Sequence, residues 1–421
     1  EIKTLSYREG AKAAHWKCSG NTEFELTTGK KKTRGTDIIL HISEDSSEFL
    51  AKHKISELLN KYCKFLPVEI EFDEKVINNT SPIWKKSPSD LKDDDYTAFY
   101  NELFPFSEPP LFWIHINVDY PFNLTGVLYF PKARREMELT KDRIKLYSNQ
   151  VFVTDHVQEI VPDYLMLLQG VIDSPDIPLN VSRSALQSDS NVKKITSHIS
   201  KKVADKLHEL YKKDVKDFEA KWPAMSLFVK YGIISDEKFD ERAKSFCLLK
   251  NIAGEFSNIE DYINKIAINQ TDKDGNRVAL YTNDKDKQFT FIETLTAKGY
   301  DVLLFDEAID NHYIMHLEQK NEKFQVKRVD SASADKIIDK GENFESVLSE
   351  DAIKLVTETL ENQFDKETYK LQMQALSPQD QFITITRNEF SRRMREMNQM
   401  GGGGMYSFMA NMPETFDVVV N

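Results

Sequence analysis

The hydrophobic period of this chain switches repeatedly between two and about 3.6 residues, and that switching restricts it to a mixed α/β fold. From Phe112 to Val118 apolar and polar residues alternate, the pattern of a half-buried strand. From Val192 to Tyr211 the apolar set Val192, Ile195, Ile199, Val203, Leu207 and Leu210 steps by three and four, which predicts an amphipathic helix. Val278 to Leu317 then runs from strand to helix, with Asp301–Phe305 as a buried strand and Glu307–Leu317 as the helix after it. That order predicts a small doubly wound subdomain. Further strands are expected at Thr36–Ile42, Val68–Phe72, Thr125–Phe130 and Lys145–Thr154, and a helix at Phe49–Phe65. A chain of 421 residues is too long for one ordinary domain.

Charge and composition narrow the functional classes. Lys plus Arg total 56 and Asp plus Glu 68, a net charge of −12. An acidic surface of this kind argues against nucleic acid as a partner, because phosphate has to be neutralised. Cys18, Cys63 and Cys247 are far apart, and no pair has zinc or redox spacing, so reduced thiols in a cytoplasmic protein are expected. No apolar run approaches the length needed to cross a bilayer, so no membrane partner is expected. Three common catalytic patterns are missing from the sequence. Thr28-Gly-Lys30 lacks the upstream glycine of a phosphate loop, His208-Glu209 has Lys212 where a zinc helix needs a second His, and no Gly-x-Ser-x-Gly elbow occurs. No metal-ligand set is expected.

Residues 170–187 carry the most specific signal: Gly170 followed by Val171-Ile-Asp-Ser-Pro-Asp-Ile-Pro-Leu-Asn-Val-Ser-Arg-Ser-Ala-Leu-Gln187. This resembles the middle-domain catalytic loop of the heat-shock protein 90 family, with Ile177 in place of the usual Leu. Other segments agree in order: Trp16 with Ser19-Gly20, Thr33-Arg-Gly-Thr36, Ser81-Pro-Ile-Trp84, Leu128-Tyr-Phe-Pro-Lys132 and Tyr147–Val153. The methionine-rich stretch near the end is similar to the bacterial branch of the family.

The resemblance implies an α/β multidomain architecture. Residues 1–74 would be the carboxy-terminal part of a GHKL-type ATP-binding domain, 75–80 a short linker, 81–330 the middle domain and 331–421 part of a dimerisation domain. It implies an ATP-dependent molecular chaperone, a homodimeric clamp acting on unfolded clients, with ATP and Mg2+ as cofactors. The family's catalytic Glu, Mg-chelating Asn and adenine-binding Asp would lie upstream of Glu1, so this stretch alone is expected to be inactive.

The resemblance also assigns individual residues. Arg183 would contact the ATP γ-phosphate, where a planar guanidinium suits charge spread over equatorial oxygens. Asn180 and Gln187 would contact phosphate or hold the loop, against an ordinary turn role. Thr36 would reach the adenine pocket through water, against a plain β-forming role. Trp84 is a candidate client contact, with burial at a domain edge as the alternative. Met394, Met397 and Met400 recur every three residues, and flexible thioethers suit promiscuous apolar binding, though Met is also a common core filler. Two other classes stay open: a passive binding scaffold that works without nucleotide, and a related GHKL machine of the DNA-repair kind. The latter would place a Lys on the phosphate, where this chain has Arg183.

Overall fold

The computed structural model describes residues 1–132, 144–157, 161–177, 190–342, 345–346, 348–377, 380–389, 392–393, 395–396 and 415–421. The chain divides into two compact units, Glu1–Pro82 with Gln150–Phe152, and Ile83–Asn149 with Val153–Asn421.

In the first unit, strands β1 (Ile2–Leu5), β2 (Ala14–Cys18), β3 (Phe24–Thr28) and β4 (Gly35–Ile38) form an antiparallel sheet in the order β3-β2-β1-β4. A 3-10 turn at Glu44–Leu50 leads into helix α1 (Lys52–Tyr62). A short hairpin follows, β5 (Glu71–Phe72) and β6 (Lys75–Val76). Little of this unit is buried: Phe65 and Pro82 are, whereas Phe24, Leu26 and Ile38 are each more than 60% exposed. The strand expected over Thr36–Ile42 stops at Ile38, and that over Val68–Phe72 shrinks to its last two residues. Residues 75–80, expected as a linker, begin with the β6 arm. Asn78 then holds the turn, donating to Leu66 O and Val68 O while its Oδ1 accepts from Ile70 N.

The second unit opens with a 3-10 turn at Ile83–Lys85 and helix α2 (Asp93–Leu103). Its sheet is built from β7 (Phe112–Val118), β8 (Leu124–Phe130), β9 (Ile144–Ser148) and β11 (Gln169–Asp173), in the order β9-β11-β8-β7; β10 (Val151–Thr154) lies between β9 and β11 in sequence. β11 runs parallel to β9 and antiparallel to β8. The single strand expected over Lys145–Thr154 is broken by a turn at Asn149 and Gln150, both at positive φ, a backbone that suits a two-residue hairpin turn.

Alternation along these strands sends side chains to two covered faces. Ile114, Ile116, Leu128, Ile144, Leu146 and Ile172 pack into one core with helix α3 (Ser190–Lys213) and helix α4 (Val215–Ser235). The stripe read from the sequence is what α3 buries: Ile195, Ile199, Val203 and Leu207 are each 0% exposed. Burial of such a side chain stabilises by about 1.5–3 kcal/mol. On the opposite face lie Trp84, α2 and an aromatic set: Trp84 packs on Phe99 and Tyr147, and Tyr100 on Tyr129. The polar tips there are satisfied, Tyr129 OH donating to Tyr96 O and Tyr100 OH to Gln169 Oε1.

Beyond helix α5 (Glu237–Ala243), a short hairpin of β12 (Leu249–Lys250) and β13 (Phe256–Ser257), and helix α6 (Ile259–Ile266), the chain enters the expected doubly wound piece. Strands β14 (Arg277–Thr282), β15 (Val302–Leu304) and β16 (Phe324–Arg328) are parallel in the order β15-β14-β16, connected by α7 (Phe289–Ala297) and α8 (Asp310–Lys320). Ala279 and Tyr281 face one core, Val278 and Leu280 another, so both faces are covered, as a parallel sheet requires. Lys230 of α4 is buried between Glu307 (2.8 Å) and Asp310 (2.5 Å). Burial works against its charge, but the two carboxylates outweigh it and raise its pKa.

The last described part holds helix α9 (Glu350–Glu361) and a sheet of β17 (Tyr369–Met373), β18 (Ile383–Arg387) and β19 (Phe416–Val420), with β19 in the middle. A buried ion network ties Glu389, Arg392, Arg393 and Glu396 to the parallel sheet. Arg392 meets Glu389, Glu396 and Tyr281 OH; Arg393 meets Glu389 and Glu318; Arg328 meets Asp330 and Glu396.

Candidate functional site

The candidate site is the loop that leaves β11. The loop's foot is held from several directions. Gly170 sits in β11 at φ +139°, a region L side chains rarely adopt, and a Cβ there would collide with Val127 O of β8. Gly126 of β8 meets β11 just as closely, its Cβ position falling on Val171 O. The two glycines therefore let β8 and β11 approach over the residues that lead into the loop.

At the end of β11 the Asp173 side chain is 0% exposed. It accepts the Trp84 indole N–H at 3.1 Å and pairs with Lys85 Nζ at 2.9 Å. A buried carboxylate is tolerated only when donors replace its water, and these two come from one 3-10 turn. Next, Ser174 N donates to Tyr147 O and Ser174 Oγ to Asn123 O at 2.6 Å. Asp176 Oδ2 accepts from Asn123 N at 2.5 Å, fastening the loop to the β7–β8 turn. Ile177 is buried in the α3 core. The far end of the loop returns into α3, whose apolar stripe is locked under the sheet.

Asn180, Arg183 and Gln187 lie outside the described residues, as do Met394, Met397 and Met400. The structure describes the residues on either side of the first three, 173–177 and helix α3 from Ser190. Thr36 is exposed on β4 of the first unit, paired in register with Thr4, and the two hydroxyls are 2.8 Å apart. Gly35 before it has φ +125°. Arg34 lies over the Tyr7 ring at 5.5 Å. Trp84, for which client contact and burial at a domain edge are the two readings, is 0% exposed here, its indole N–H donating to Asp173 and its rings packed on Phe99 and Tyr147.

Sequence reasoning did not single out Asp173, Ser174, Asp176 or Lys85. For Asp173 and Ser174 a signal was available: an Asp-Ser pair follows the run Gly170-Val-Ile172, where a buried polar group has to be there for its partners. Among the described residues no group of three or more His, Cys, Asp or Glu side chains is placed to hold a metal ion, and no helix is long and apolar enough to cross a membrane.

Comparison with known proteins fixes the class. The family model described as Hsp90 protein matches residues 67–412, and the chain belongs to that family. It is similar to the chaperone protein HtpG of Bacteroides thetaiotaomicron, 47% identical over 100% of this chain and 64% of the relative. It is 48% identical, with the same coverage, to that of Porphyromonas gingivalis. A more distant HtpG, from Roseobacter denitrificans, is 30% identical over 76% of this chain and 52% of its own length. The chain thus spans 64% of the length of the first two relatives.

Proposed function

We propose that this chain is the central part of an ATP-driven molecular chaperone, in which Arg183 is carried to the γ-phosphate of ATP bound in the amino-terminal domain. The observation that supports this most is the Gly170–Gln187 block, which leaves a strand end anchored by Asp173, Ser174 and Asp176. Phosphoryl transfer draws on ordered placement of charged groups around the phosphate. The relatives' description as chaperones supports the client-binding half of the reading.

In this proposal residues 1–74 complete the nucleotide domain and Thr36 reaches adenine through water. Asn180 and Gln187 hold the loop, and residues 331–421 begin the dimerisation domain of a homodimeric cytoplasmic clamp. Mg2+ accompanies the nucleotide, and Met394, Met397 and Met400 contact unfolded clients. Steady-state ATP turnover by the intact protein, wild type beside Arg183→Ala, tests it. Loss of one charge-stabilising donor is expected to lower turnover about a hundredfold with nucleotide binding kept. Unchanged turnover would remove Arg183 from the chemistry and leave the passive scaffold as the better description.

A further inference from the structure

We infer that the cavity formed by the start of α4, the β12–β13 hairpin, α6 and the residue before β15 is a binding site for a primary alkylammonium group. The inference goes beyond the proposed ATP chemistry and does not depend on Arg183. The cavity has a volume of about 470 Å3. Its charged wall sets three carboxylates, Glu219, Glu255 and Asp301, against two lysines, Lys216 and Lys265, so one negative charge is in excess. Both lysines are engaged within the wall. Lys216 Nζ pairs with Glu219 at 2.8 Å, and Lys265 Nζ meets Asp301 Oδ2 at 2.6 Å and Glu255 Oε2 at 3.0 Å. Asn251 Nδ2 donates to the same two oxygens, at 3.1 and 2.9 Å. These donors gather on one oxygen of Asp301 and leave its Oδ1 without a hydrogen bond among the described residues.

Acidic side chains around a surface cavity are by themselves an ordinary solvated patch. Tyr262 makes this one different. It lines the same cavity from α6, is 1% exposed, and its hydroxyl too has no hydrogen-bond partner among the described residues. Buried polar groups are nearly always satisfied, so an unpaired phenol and an unpaired carboxylate oxygen on one cavity call for a shared partner. Their chemistry selects it. A carboxylate only accepts. The phenol stays neutral, because burial first and the charge of Asp301 second push its pKa well above the ordinary value, and a neutral phenol accepts as well as donates. An anionic ligand would add to the negative charge. A neutral hydroxyl supplies one donor and leaves the excess charge unmet. An ammonium group supplies three donors and one positive charge, and Phe256 and Ala253 give its alkyl stem an apolar wall. A free amine and a lysine side chain on a bound polypeptide share this head group.

The test is calorimetric titration of the intact protein with n-butylammonium chloride, n-butanol and Nα-acetyl-lysine methylamide at fixed ionic strength. Saturable one-to-one binding of butylammonium is expected, with none of butanol. Tyr262→Phe is expected to weaken that binding by about tenfold, the loss of one hydrogen bond to a charged group. It should not lower Tm, because the hydroxyl it removes is unpaired. Asp301→Asn is expected to weaken binding further, since it removes charge as well as an acceptor. Should that variant fail to fold, Glu219→Gln keeps Tyr262 and Asp301 and removes only the excess charge, with a loss of about threefold expected and unchanged affinity counting against the inference. Binding of the lysine derivative at least as tight as that of butylammonium would place the head group on a bound polypeptide, and its exclusion would make a free amine the ligand. Absence of saturable butylammonium binding, equal binding of butanol, or full affinity in Tyr262→Phe would each overturn the inference. So would a crystal structure grown with butylammonium in which only a water bridges Tyr262 and Asp301.

Discussion

At the scale of single residues, the strongest constraints are places where chemistry leaves no substitute. Gly170 combines a backbone forbidden to side chains with a neighbouring carbonyl where a Cβ would sit. Gly170→Ala is expected to cost about 3 kcal/mol, strain and overpacking together. A urea titration would show this as a lower midpoint at unchanged slope. Lys230 is the charged counterpart, since Glu307 and Asp310 share its ammonium group. Burial already pushes the Asp310 carboxyl upward against the pull of Lys230. Lys230→Met removes the shared cation and is expected to destabilise by about 3–5 kcal/mol, whereas replacing all three with apolar residues should recover most of that. Calorimetric unfolding of the two variants would separate a lost interaction from a stranded charge.

At the scale of elements, what could be read in advance was whatever carried its own periodicity. The α3 stripe is legible because six apolar residues must share one face whatever packs on it, and the structure buries five of them and half-buries Leu210. The alternating β7 and the strand–helix order of β14 to α8 were legible for the same reason. Val68–Phe72 shrank because alternation alone does not supply a pairing partner: Val68 is 65% exposed, and only Glu71–Phe72 find β6. The site divides similarly. Its arginine motif was visible from resemblance, but the Asp173 anchor depends on Trp84 and Lys85, some ninety residues earlier, and no local pattern joins them.

A pH effect also belongs at this scale. His115 of β7 bonds Tyr96 OH through Nδ1 at 2.8 Å, and His198 of α3 packs edge-on to Phe122. Burial lowers both pKa values; Lys202 and Lys201 reinforce this for His198, while a backbone bond with Trp84 opposes it for His115. The unfolded chain then takes protons first, so the stabilising contribution is present above the ordinary histidine pKa and is lost as pH falls below it. Thermal unfolding between pH 7 and 5 is expected to show a shallower loss in His115→Gln than in wild type, by no more than about 1.4 kcal/mol per pH unit. An unchanged slope would show that His115 does not titrate differently in the two states.

At the scale of the whole molecule, the two units are built to different depths. The second buries both faces of the β9-β11-β8-β7 sheet and of the parallel β15-β14-β16 sheet. The first buries Phe65 and Pro82 and leaves Phe24, Leu26 and Ile38 in contact with solvent. Local opening follows local contact density. Native-state hydrogen exchange of this chain is therefore expected to give the amides of β1–β4 protection lower by about tenfold or more than those of β7, β8 and β11. Equal protection would mean that the two units open together.

The last sheet has its own history in time. Its central strand, β19, is the last of the three in the chain, and both β17 and β18 pair with it. A nascent chain that has just emerged as far as Arg387 holds two future edge strands and nothing to join them. About 30 further residues, added at about 5–20 per second, pass before the joining strand exists. For those seconds Tyr369–Met373 and Ile383–Arg387 are open hydrogen-bonding edges beside a ribosome, the kind of template on which a second nascent chain can pair.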